Sequence, residues 1–113
     1  MNLNLKLRGT AIFVDAARIY SLAYGIQETN TRKRLDAAGP LLKLAETEYG
    51  AWVSAFEFLQ MLRLRIQLES EAALVSPNEI LVATLDDIDR RILRESIKVA
   101  HRIQQRLQLD YER

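Results

Sequence analysis

The chain contains no cysteine, which excludes disulfide stapling and thiolate metal sites and makes a reducing compartment, the cytoplasm, the expected setting. Its one histidine, His101, has no second imidazole to share a metal with. With no cysteine and no serine in a glycine-bounded elbow, His101 has no nucleophile to activate either. The four glycines, Gly9, Gly25, Gly39 and Gly50, stand singly, so neither a Walker-type nor a dinucleotide-type phosphate loop is present. No apolar run approaches the roughly 20 residues of a membrane span, and the start lacks the apolar core of a signal peptide. Sixteen Lys and Arg against fifteen Asp and Glu leave a net charge of +1, so no overall field draws the chain to nucleic acid or to an anionic membrane.

What remains is ordinary globular material, 49% apolar and 27% charged over 113 residues, enough for one core and one domain spanning residues 1–113. Leu3, Leu5 and Leu7 alternate with Asn4 and Lys6, which predicts a short extended segment. No other stretch alternates, so this segment is expected to lie on the helices or, the favoured reading, to pair with strands of a domain outside this sequence. Thr10 to Tyr24 carries Ile12, Val14, Ala16, Ala17, Ile19 and Ala23 at helical spacing, and Gly25 ends it. A short second helix is expected over Arg32 to Ala38, between the capping residues Glu28 to Thr31 and a stop at Gly39-Pro40.

From about Leu44 to Ala73, Trp52, Ala55, Phe56, Leu59, Leu62 and Ile66 recur at three and four, with Phe58 and Met61 widening the stripe, and predict a long helix. Gly50 lies inside it, at a bend or a close contact. After Ser76-Pro77-Asn78, Thr84 to Asp87 resembles a capping box with Thr84 as the cap. The last helix then presents Leu85, Ile88, Ile92, Leu93, Ser96, Val99, Ala100, Ile103 and Leu107 on one face and Arg90, Arg94, Lys98 and Arg102 on the other, with His101 beside the arginines. The fold class is all-α: an antiparallel helical bundle of about four helices, two long and two shorter, with a short extended N-terminal segment.

Asp87-Ile88-Asp89 can share a metal ion on a strand but not on a helix, where the two side chains diverge by roughly 200°. No metal or other cofactor is implied. The basic residues fall into three groups: Arg32-Lys33-Arg34, Arg63 with Arg65, and Arg90-Arg91-Arg94. Arg63 and Arg65 lie within the apolar stretch Phe56 to Leu68, where a guanidinium needs a carboxylate or a ligand phosphate. Asp15, Glu57 and Glu69 are the carboxylates considered as partners.

Several segments together resemble the helical substrate-binding domain found C-terminal to a nucleotidyltransferase domain in proteins that also carry CBS and cyclic-nucleotide-binding-like domains. They are Val14-Asp15-Ala16-Ala17-Arg18, Thr29-Asn30-Thr31 with Arg34-Leu35, Ala55-Phe56-Glu57-Phe58-Leu59 running into Leu62-Arg63-Leu64-Arg65-Ile66-Gln67, and Leu85 with Arg90-Arg91 and Leu93-Arg94-Glu95. The chain departs from the family pattern at Ile66, often a histidine there, and in the loop Pro77 to Val82, which lacks a second proline and an aspartate.

The resemblance implies that catalysis belongs to a preceding domain, similar to the uridylyltransferases and adenylyltransferases of nitrogen regulation, and that this chain is a fragment of a longer signalling protein. It implies substrate-binding candidates at Thr29, Asn30, Thr31, Arg34, Arg63, Arg65, Gln67, Arg90 and Arg94, and a structural ion pair of Asp15 with Arg18. The expected partners are the nucleotidyltransferase-like and CBS domains of the same protein, a nucleotide, and a second copy of the chain. The alternative is a helical dimerisation or docking module with no small-molecule ligand, its arginines engaged in ion pairs.

Overall fold

The computed structural model of the protein describes residues 2–73, 79–81 and 85–111. Among them are a short strand β1 (Asn2–Asn4), a π-helical turn (Lys6–Thr10), and the helices α1 (Ala11–Tyr24), α2 (Thr31–Leu41) and α3 (Glu46–Ala73). A second short strand β2 (Glu79–Leu81) and the helix α4 (Asp87–Tyr111) complete the order.

The N-terminal expectation is corrected on two points. The partner of β1 belongs to this same chain, since β1 pairs antiparallel with β2, Leu3 opposite Ile80. At three residues β2 is too short to alternate visibly in sequence. The extended path also stops at Asn4: Leu5 has helical dihedrals and is fully buried, and Lys6 onward is helical. The turn lies so close to α3 that a Cβ on Gly9 would stand 2.8 Å from Leu59 Cδ1.

Helix α1 ends as expected at Gly25, whose φ of 66° is open to glycine at little cost. Its buried face is Phe13, Ala16, Ala17, Tyr20 and Ser21, however, and Val14 and Ile19 are more than a third exposed. The two aromatic rings set the orientation because they bury the most area: Phe13 meets Phe56 at 5.8 Å and Tyr20 stacks on Trp52 at 6.4 Å, both across the bundle onto α3.

Helix α2 is capped by Asn30, whose Oδ1 accepts the Lys33 N–H at 3.1 Å. Gly39-Pro40 does not end it. Pro40 sits in the last turn, and the helix ends one residue later, at Leu41, in a Schellman arrangement: Leu44 N–H donates to the Gly39 carbonyl and Lys43 N–H to that of Pro40. Lys43 takes the left-handed position at φ 60°. Gly39 is needed for packing, since a Cβ there would overlap the Tyr49 ring of α3.

Of the predicted stripe on α3, Trp52, Ala55, Phe56, Leu59, Leu62 and Ile66 are buried and Phe58 is half-buried, but Met61, expected to widen it, is half exposed. At Gly50, by contrast, there is no close contact, because a Cβ there would meet open space. Helix α4 is capped by Asp86, whose Oδ1 accepts the Asp89 N–H at 2.7 Å; Thr84, expected as the cap, lies outside the described residues, as does the break at 76–78. Leu93, Ser96, Val99, Ala100 and Ile103 face inward, but Ile88 is 71% exposed and Ile92 39%, so the buried stripe is narrower than the apolar pattern suggests.

The helices pack in a ring, α1 on α2, α2 on α3, α3 on α4 and α4 on α1. Contacts of α3 with its three companions (Thr10 with Arg63 and Tyr20 with Trp52, Arg32 with Glu57 and Gly39 with Tyr49, Asp89 with Arg65 and Val99 beside Trp52) show that it runs antiparallel to each of them. Helices α1 and α2 therefore point the same way. Residues 25–30, able to span about 20 Å when extended, carry the chain back along a helix about 16 Å long.

Candidate functional site

The N-terminus of α2 faces the middle of α3. Asn30, Thr31 and Arg32 line an open groove of about 340 Å³ with Phe56, Glu57 and Gln60. The Arg32 guanidinium is fixed across it, Nε to Glu57 Oε1 at 2.5 Å. Arg34, one turn away from the cap, donates its Nε to the Glu28 carbonyl at 2.6 Å, which leaves its terminal amino groups without a partner among the described residues. Along the same side of α3, Arg63 donates to Gln60 Oε1 at 3.4 Å and to the Oγ1 of Thr10, a buried hydroxyl, at 3.1 Å. Thr29 is exposed beside the cap.

Arg65, two positions on from Arg63 and so turned by roughly 200°, belongs to the opposite side. It pairs with Asp89 at 3.2 Å, joining α3 to the first turn of α4. The partner of Arg65 is thus none of Asp15, Glu57 and Glu69, the carboxylates considered from sequence: Asp15 pairs with Arg18, Glu57 with Arg32, and the Glu69 side chain lies outside the described residues. Arg90 donates to the Leu85 carbonyl at 3.0 Å, and Arg94 and Gln67 are exposed. The candidate residues thus form two groups. Thr29, Asn30, Thr31 and Arg34 lie at the start of α2, with Arg63 further along the facing side of α3, while Arg65 and Arg90 stand where α3 meets the start of α4; Arg94 and Gln67 belong to neither group. The Asp15–Arg18 pair, 3.3 Å apart within α1, is exposed and joins no two helices.

Arg32 and Gln60 went unassigned in the sequence reading although they line the groove. Their signal is periodicity: Glu57, Gln60 and Arg63 follow at three-residue steps on α3. A further cluster, at the other end of the bundle, was missed entirely. The Tyr20 hydroxyl donates to Asp110 Oδ2 at 2.9 Å, and Arg106 Nε lies 3.5 Å from the same oxygen. Burial, then the bond to Asp110 and its charge, pushes the Tyr20 phenol well above the ordinary range. Nearby, Tyr24, Leu41, Leu42, Lys43, Arg106, Asp110 and Tyr111 line a cavity of about 330 Å³. The Tyr111 phenol is also raised, by burial first and then by the charges of Tyr24 and Asp110.

Among the described residues no group of His, Asp and Glu is placed to hold a metal ion, and no helix is long and apolar enough to cross a membrane. No curated protein and no solved structure matches the chain. A family described as "putative nucleotidyltransferase substrate binding domain" matches residues 1–111, and the chain belongs to that family.

Proposed function

From this membership we propose that the bundle is a non-catalytic accessory domain of a nucleotidyltransferase-like signalling protein of the cytoplasm. It packs on the catalytic domain, alongside CBS domains, and helps hold the nucleotide or the acceptor. The observation that carries this reading is the convergence at the α2 N-terminus of a capped helix end, the groove beside it and the unengaged amino groups of Arg34. Backbone N–H groups and the helix dipole favour an anion there, and a guanidinium one turn along supplies the countercharge. Thr29, Asn30, Thr31, Arg34 and Arg63 are the binding set; Arg65 and Arg90 serve the α3–α4 seam.

Calorimetric titration of nucleotides into the chain, alone and joined to its catalytic domain, tests the proposal. Arg34→Ala is expected to weaken binding by about tenfold or more, the value of one charge-assisted hydrogen bond. Arg65→Ala is expected to leave it unchanged. Absence of heat for every nucleotide, even with the catalytic domain present, would falsify it.

A second reading, a dimerisation or docking bundle, is favoured by the pairing of Arg18, Arg32 and Arg65 with carboxylates of the chain itself and by the exposure of Leu64, Leu68 and Ile88. Sedimentation over a range of concentrations separates the two.

A further inference from the structure

The cavity at the far end of the bundle has the composition of a ligand site. Two phenols, Tyr24 from the end of α1 and Tyr111 from the end of α4, stand at its walls about half exposed. Leu41 and Leu42 add apolar surface. Lys43 and Arg106 bring two positive charges against the single carboxylate of Asp110, so one positive charge is unmatched.

Two details show unfilled capacity. Arg106 Nε is buried and makes no hydrogen bond: its ion-pair partner Asp110 Oδ2, which accepts from the Tyr20 hydroxyl, stands 3.5 Å away. A buried guanidinium N–H left unpaired is costly, and an acceptor oxygen entering the cavity would relieve it. Lys43 is held at the rim by a left-handed backbone that a lysine adopts only at a cost. The Schellman turn could be closed more cheaply by glycine, and the ammonium group at the cavity is what lysine adds.

We propose that this cavity binds a planar aromatic anion, its ring against Tyr24 and Tyr111 and its carboxylate or phosphate between Arg106 and Lys43. Aromatic faces accept planar rings by offset stacking, and a volume of about 330 Å³ admits a small ring with its anionic group. The site lies at the opposite end of the bundle from the groove at the α2 N-terminus and does not depend on it.

Phenyl phosphate is a suitable probe, with inorganic phosphate and phenol as its two halves, followed through the amide and ring NMR signals of the intact chain. Saturable shifts at Tyr24, Lys43, Arg106 and Tyr111 are expected with phenyl phosphate, and affinities at least about tenfold weaker with either half alone. Lys43→Gly removes the ammonium group while keeping the backbone position, so it is expected to weaken binding with no loss of thermal stability. Arg106→Gln is expected to weaken it further. No shift at these residues, or binding that Lys43→Gly does not change, overturns the proposal. Nucleotide binding lost in Arg34→Ala but kept in Lys43→Gly is expected of two separate sites, whereas phenyl phosphate binding that Arg34→Ala abolishes overturns the proposal.

Discussion

Tyr20 donates its hydroxyl to Asp110 across ninety residues of sequence, at 2.9 Å, with the ring wholly buried between Trp52 and Tyr111. The bond joins the middle of the first helix to the last turn of the fourth.

Replacing Tyr20 by Phe is expected to cost about 1 kcal/mol at neutral pH, the usual net value of such a bond. The pH dependence has a definite sign. The folded phenol titrates above its ordinary value of 10.0, so the unfolded chain gives up this proton first. The stability contributed by Tyr20 is therefore complete below about pH 10 and is lost as pH rises through the folded value, by up to about 1.4 kcal/mol per pH unit. Urea unfolding between pH 8 and 12 should show the advantage of wild type over Tyr20→Phe shrinking on the alkaline side; an advantage that grows there contradicts the assignment.

Lys43→Gly is expected to stabilise the fold by roughly 1 kcal/mol, because glycine takes φ of 60° without the steric cost a side chain incurs. Thermal unfolding reads this directly. A fall in melting temperature would mean that the lysine side chain contributes more to the cavity rim than its backbone costs.

Gly50 is the complementary case. It is helical with nothing near its missing Cβ, so Gly50→Ala should raise stability by about 0.5 to 1 kcal/mol through helix propensity and a less flexible unfolded chain. Destabilisation would reveal a contact across α3 that the geometry does not contain.

Arg65 and Asp89 form the ion pair on the α3–α4 seam, with side chains 42% and 23% exposed. A double-mutant cycle is expected to give a coupling below about 1 kcal/mol, further reduced by salt, as for other partly solvated pairs. A coupling of several kcal/mol, unaffected by salt, would place this pair in the core.

The sequence exposed some of this architecture and hid the rest for identifiable reasons. The α3 stripe was legible because a period of 3.6 held from Trp52 to Ile66 leaves few alternatives. On α1 the small apolar residues suggested a face that the rings of Phe13 and Tyr20 overrode. Proline after glycine read as a stop, yet Pro40 loses only one donor in a turn where Leu42, Lys43 and Leu44 reach back to satisfy carbonyls. The α2 cap was legible because Asn30 acts locally on Lys33; the Asp89 partner of Arg65 and the Asp110 partner of Tyr20 were not, since helix periodicity says nothing about which faces meet. Family membership was legible from short blocks spread over nearly the whole chain.

The contact of Gly39 with Tyr49 bears on how this sequence can drift. One position can hold no side chain because the other holds a ring, so the two sites act as a single volume shared between two letters. Descendants that acquire alanine or serine at 39 are expected to have first lost the aromatic at 49, and those that keep the tyrosine to keep the glycine.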